Sequence, residues 1–303
     1  MRDFHPRLRD PRLRWPNGAR LAVSVVVNIE EGAELSLSAG DERNEAVYEV
    51  VEEVAGSPDL CMESHFEYGT RVGWGRIRDA LASRAVRATL NGCGRAVASS
   101  PWLAQEAVAL GHEISCHGWR WERHAGMEEA REREVIARSV AAIRAACGVR
   151  PVGWHTRSAT SVNTRRLLVE EGGFLYDSNA YDDDTPYVVD VSGSPHVVLP
   201  YAFDTNDMRF QRQGGFVFAD DFARYCIDAF DRLHAEGAGV PRMLSIGLHL
   251  RIIGRPARIG GLERFLDHAM ARDGVWFARR DEIATAWREM TGLPPWSGRD
   301  GAG

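Results

Sequence analysis

Polar side chains follow directly on short apolar runs at several points of this chain. The run Ala19–Asn28 (ARLAVSVVVN) leads into Asn28-Ile29-Glu30-Glu31-Gly32. Two adjacent carboxylates in that position suit a general base and a second charge that tunes it, although a solvated loop also carries such pairs. The stretch His112–His124 (HEISCHGWRWERH) holds a second group. Two His four residues apart on a helical turn can share a metal, but four after His117 stands Trp121, whose indole has no lone pair to offer. His124, seven after His117, is the remaining imidazole of that stretch. A third group is Gly153-Trp154-His155-Thr156-Arg157, and a fourth is the run Met243–His249, which delivers a His at its end. Between the last two lies Phe203–Met208, whose Asp204 and Asp207 suit the orientation and charge-tuning of a neighbouring His.

These groups need a frame, and the pattern of the chain supplies one. Ala19–Asn28 reads as a fully buried strand. Further strands are predicted at Val86–Leu90, His112–Cys116, Val152–His155, Phe174–Tyr176, Val197–Tyr201, Met243–His249 and Val275–Ala278. Helices are predicted over Glu42–Val54, Val72–Ala82, from Pro101 to near Gly111, Glu128–Cys147, Asn163–Glu171, Asp220–Ala235, Leu262–Ala271 and Asp281–Glu289. In Glu128–Cys147, Ile136, Val140, Ile143 and Cys147 share one face. Ser100-Pro101 looks like a helix start, and Gly172 closes Asn163–Glu171. Strands alternating with helices imply an α/β fold, a distorted (β/α) barrel of about seven to eight strands. The expected organisation is one catalytic domain over 1–303 with an N-terminal arm over 1–18. In such barrels chemistry sits at the C-terminal strand ends, where the polar groups fall.

Composition narrows the function. The formal charge is -6, which argues against a phosphate-gripping nucleic-acid binder. No apolar run is long enough for a membrane span. All 37 Lys-plus-Arg residues are Arg, so Schiff-base and lysine-nucleophile chemistry is excluded. Five Cys without a CxxC pair read as reduced thiols. The Arg-rich start, broken by Pro6 and Pro11, has no apolar segment behind it, so a cytoplasmic location is expected. The arm is expected to pack on the surface or on a neighbouring subunit.

Taken jointly and in order, the groups resemble the polysaccharide deacetylase (NodB-type) superfamily over roughly residues 15–290. Glu30-Glu31 falls at its Asp-Asp motif, His117 at the first His of its metal motif, Asp204-x-x-Asp207 at its fourth motif, and Leu248-His249 at the motif with the catalytic His. The strings NIEEGAE, ESHFEYGTRVGWGRI, HEISCHGWRW, NTRRLLVEEGGFLYDS, LPYAFDTNDMRF and IGLHLRIIGRP are similar to the allantoinase-type branch, which also includes hydrolases of other cyclic amides such as cyclic imides. The resemblance implies ring opening of a small cyclic ureide or imide without the deacetylase metal triad. The alternative is a metal-dependent de-N-acetylase of an amino sugar or cell-wall glycan. It also implies a homo-oligomer, commonly a tetramer. The chain departs from the pattern at Trp121, which replaces the second metal His, at Glu31, which replaces the metal Asp, and at His155, where a Tyr is expected of allantoinases.

Opening a cyclic amide needs an activated water, a stabilised oxyanion and a proton for the leaving nitrogen. Glu30 is the expected base, its pKa raised by Glu31 and an apolar tryptophan wall. His249 is the expected acid, oriented by Asp204 or Asp207. His117, His155 and Arg157 are expected at the carbonyl. Tyr68, Trp119, Trp121 and Trp154 are expected to line a small dry pocket, with Glu31, Glu63 and Arg71 adding polar contacts. No cofactor is expected; a zinc site, if formed, would rest on Glu31, His117 and His124. The partner is a small-molecule substrate, with no nucleic acid and no membrane.

Overall fold

The computed structural model describes residues 4–49, 52–157, 159–211 and 214–298. Strand β1 (Leu21–Ile29) is buried at all nine positions, as a Val-rich run without a polar face requires. The chain continues through α1 (Leu60–Tyr68), α2 (Trp74–Ala82), β2 (Thr89–Gly92), α3 (Gly94–Ser99), α4 (Pro101–Ala109), β3 (Glu113–Cys116), α5 (Glu129–Cys147), β4 (Gly153–Trp154), α6 (Thr164–Glu171) and β5 (Tyr176–Asp177). It closes with β6 (Tyr187–Val191), β7 (Ser194–Val198), α7 (Ala219–Glu236), β8 (Arg242–His249), α8 (Leu250–Ile253), α9 (Ile259–Met270), β9 (Val275–Phe277) and α10 (Arg280–Met290).

The expected α/β architecture holds: one curled sheet runs in the order β6-β7-β5-β4-β3-β2-β1-β8, with β9 on β1. All pairings are parallel except that of β6 with β7. Parallel strands point their C-terminal ends one way, so Glu30, His117, His155 and His249 emerge at one end. The outer edge of β8 is met by irregular chain. Gly247 N donates to Thr205 O and Met243 N to Asp184 O. Helices pack outside the sheet on a core that includes Trp74, Ile77, Ile136, Phe222 and Phe265. A second core at the opposite end gathers Trp15, Tyr176, Leu199 and Trp287. The indole of Trp15 donates to Arg242 O at 2.7 Å, so the arm's last turn plugs that end.

One expectation changes. Residues 42–49 and 52–54 form no helix, and 50 and 51 of that stretch lie outside the described residues. Side-chain bonds hold a loop there instead: Leu35 N donates to Glu45 Oε2 and Leu37 N to Asn44 Oδ1. The hairpin strand β6 went unread; its turn, Ser192-Gly193, takes two positive φ values, 53° and 84°, the geometry of a tight two-residue hairpin. Helix α1 was also missed, although Asp59 caps it by accepting from Met62 N. The arm packs on its own chain, with Arg7 and Arg9 paired to Asp182 and Asp183.

Between α1 and α2, Gly69–Gly73 forms a π-helical turn packed on α8. A Cβ on Gly73 would collide with the Leu250 carbonyl, immediately after His249. Gly73→Ala is expected to cost about 1–3 kcal/mol, read as a lowered urea midpoint, because backbone on both sides must move.

Candidate active site

Each strand end contributes one layer of the site. Near the end of β1 stands Asn28, whose amide nitrogen lies 3.3 Å from His249 Nε2 and whose Oδ1 accepts from Asn91 at 3.2 Å. Glu30 follows, buried, with Oε1 3.3 Å from His117 Nε2 and 3.7 Å from His249 Nε2. Its other oxygen accepts from Arg251 Nη1 at 2.8 Å. The same guanidinium reaches Glu49 Oε1 at 3.0 Å and lies 4.4 Å over the Phe66 ring. Burial works against a charge on Glu30. His249, Arg251 and the His117 bond outweigh it and hold the carboxyl well below the ordinary glutamate range.

His249 stands at the end of β8 and is oriented by Asp207. Its Nδ1 lies 2.6 Å from Asp207 Oδ1, while His249 N and Ile253 N both donate to Asp207 Oδ2. Burial lowers the imidazole's affinity for a proton, but Asp207 and Glu30 together raise it above the usual value. His117 follows β3, with Nδ1 2.6 Å from the His155 carbonyl. His155 follows β4 and stacks on His117, with ring centres 5.2 Å apart. These groups face a cavity of about 380 Å³ walled by Tyr48, Trp121, Tyr181, Tyr201 and Phe203. Arg157 lies at its rim, its guanidinium carbon 3.4 Å over Trp121. A larger cavity of about 640 Å³ lies behind Tyr181 and Phe203, away from the three imidazoles.

Of the residues singled out by sequence, Glu30, His117, Trp121, His155, Arg157, Asp207 and His249 come together. The others do not. Asp204 is exposed, and only its carbonyl is engaged, by Arg209, so Asp207 alone orients His249. Trp154 is core, its indole donating to Thr156 Oγ1 and its ring edge-on to Phe174. Trp119 packs against the outer core beneath Arg138. Tyr68 bonds Arg76 and lies under Arg255. Glu63 accepts from Ser36 Oγ, and Arg71 forms an exposed bridge with Glu67.

The raised carboxyl is not Glu30 but Glu31. Burial is the main cause; Arg251 opposes it, the Glu30 charge adds to it, and the value reaches about 7. Glu31 sits behind Glu30, accepting from the backbone N–H groups of Glu30 and Arg251. The folded chain therefore keeps a proton on Glu31 that the unfolded chain sheds above about pH 4.3, and stability falls as pH rises from there through about 7. Relative to Glu31→Gln, the wild type is expected to lose on the order of 3 kcal/mol across that window. Denaturant titrations of both proteins at about pH 5 and pH 8 check this. The amide disturbs one accepted N–H bond at every pH, so the change in the difference is the readout.

The donor set does not fit a divalent cation. Trp121 has no lone pair. His124 packs edge-on to Trp154 and does not line the cavity. Both oxygens of Glu31 are taken by N–H donors, and Arg251 already sits on Glu30. Among the described residues, no three His, Cys, Asp or Glu side chains gather as a metal site would need. Sequence reading missed Asn28, Glu49, Tyr201, Asn206 and Arg251. A lone Arg two residues after His249, inside the apolar string LHLRII, was the available signal for the last.

A half-barrel sheet with a buried carboxylate and an Asp-oriented His at its strand ends matches one family, and the chain belongs to it: the polysaccharide deacetylase family, whose model matches residues 57–175. A Schizosaccharomyces pombe relative named "Putative polysaccharide deacetylase" is 37% identical over 90% of this chain and 92% of its own. Among solved structures, a probable polysaccharide deacetylase from Pseudomonas aeruginosa is 46% identical, with TM-score 0.87, covering 91% of this chain and 93% of that one. The PuuE allantoinase is 44% identical, with TM-score 0.88, covering 94% and 95%. No helix among the described residues is long and apolar enough to cross a membrane.

Proposed function

We propose that this protein opens a small cyclic ureide or imide by adding water across one ring amide bond. The observation that carries the reading is the Arg251 guanidinium seated on Glu30 at the floor of a cavity of about 380 Å³ walled by aromatic rings. A side-chain cation there already neutralises the carboxylate a metal would share, and the enclosing rings suit a compact planar substrate better than a polymer. Similarity to the PuuE allantoinase supports the same reading.

In this scheme Glu30, held ionised, takes a proton from water as the oxygen attacks the ring carbonyl. The new C–O bond forms, and the oxyanion is met by His117 and Arg157. His249, oriented by Asp207 and with its proton affinity raised above the usual imidazole value, gives its Nε2 proton to the ring nitrogen as the C–N bond breaks. The product is a ring-opened carboxylic acid with a terminal amide or urea. Glu30 needs to hold the water's proton only in passing, so its low affinity at rest is compatible with the role.

The test is incubation of purified protein with allantoin, hydantoin, succinimide and acetylated chitooligosaccharides, with and without chelator. Ring opening unchanged by chelator is expected. Acetate release that depends on one bound zinc per chain would replace this reading with glycan deacetylation.

A further inference from the structure

His155 is buried and lines the cavity, between His117 on one side and Tyr201, with ring centres 4.6 Å apart, on the other. Its Nδ1 lies 2.9 Å from the Ser178 carbonyl. A carbonyl oxygen can only accept, so Nδ1 carries the ring's proton. The ring is buried and its hydrogen-bond partner is a neutral carbonyl, so it stays uncharged. A neutral imidazole protonated at Nδ1 presents a lone pair at Nε2. Among the described residues nothing donates to that atom. The nearby Arg157 and Arg251 offer donors only. His155 is therefore an uncharged acceptor beside strong donors, able to hold an N–H without opposing a developing oxyanion.

We propose that His155 Nε2 accepts a hydrogen bond from a ring N–H of the substrate, selecting cyclic ureides and imides with that nitrogen unsubstituted; this rests on the ring-opening reading above. A methyl group on the nitrogen would remove the donor, leave a buried acceptor unpaired and intrude on the His117 stack.

The experiment compares kcat/KM for hydantoin, 1-methylhydantoin and 3-methylhydantoin. The wild type is expected to prefer hydantoin over at least one methylated ring by about 100-fold. His155→Phe keeps the stack between His117 and Tyr201 but lacks the acceptor. It is expected to lower activity on hydantoin and compress the ratio to within about fivefold. His155→Ala, which also makes room, is expected to compress it by gaining on the methylated ring. A wild type that opens all three within about threefold overturns the proposal and leaves the ring-opening reading standing. A folded His155→Phe that keeps the wild-type ratio also overturns it. A wild type that opens none of the three, nor allantoin nor succinimide, removes the ring-opening reading and this inference with it.

Discussion

Glu30→Gln is expected to lower kcat/KM on a ring substrate by about 10²- to 10⁴-fold while the protein stays folded, because the amide keeps the shape but cannot take a proton. His249→Ala is expected to lose a comparable factor through the opposite proton transfer. The two are told apart by pH. Activity needs His249 protonated, and Asp207 and Glu30 hold its pKa above the ordinary imidazole value. The wild-type rate should therefore fall only as pH rises past the ordinary imidazole range. The same shift gives folding stability that is full below the unfolded His pKa and is lost as pH rises through the folded one. In Glu30→Gln the negative neighbour is gone, so the alkaline limb of the residual rate should move to lower pH. Steady-state rates across pH check both; near-full activity in either variant would remove that residue's assigned role.

Arg251→Met is expected to be the most destabilising single change at the site, by about 3–5 kcal/mol in urea unfolding. The guanidinium is 1% exposed and holds Glu30 at 2.8 Å and Glu49 at 3.0 Å. Removing it strands two buried carboxylates, and a buried unpaired charge costs more than the pair gains by forming. Any remaining activity should also require higher pH, since Glu30 loses a main cause of its depressed pKa. A loss below about 1 kcal/mol would mean that Arg251 does not carry the buried charge balance.

The strand ends were legible because parallel burial writes itself as an unbroken apolar run followed by polar residues, as in ARLAVSVVVN before Glu30 and MLSIGL before His249. The Gly172 cap, with φ 83°, was legible for a local reason. The sense of the Glu30 shift was not. Glu31 adjoins it in sequence, whereas His249 and Arg251, which lower it, are brought in by pairing of β1 with β8. Aromatic residues misled in the same way. Trp119, Trp121 and Trp154 are alike in type, yet only Trp121 faces the cavity, because Trp154 lies within β4 with its ring in the core and Trp119 packs beside α5 under Arg138. Tyr201 and Asn206 sit on irregular chain that closes the sheet's edge and carries no periodic signal.

Strand β1 is matched residue for residue, Leu21–Asn28, with the distant strand β8, and Asn28 and His249 are 221 positions apart. During synthesis this very apolar segment must wait until β8, its longest partner, has been made. Closure of so large a loop comes before any reward from the pairing, so this topology favours slow, late assembly over early nucleation at the amino terminus. The proposed base, Glu30, directly follows one member of that pair, and the proposed acid, His249, ends the other. On that reading the site forms only once this long-range pairing is made, and chains cut short before β8 would present a bare Val-rich strand to chaperones and to one another.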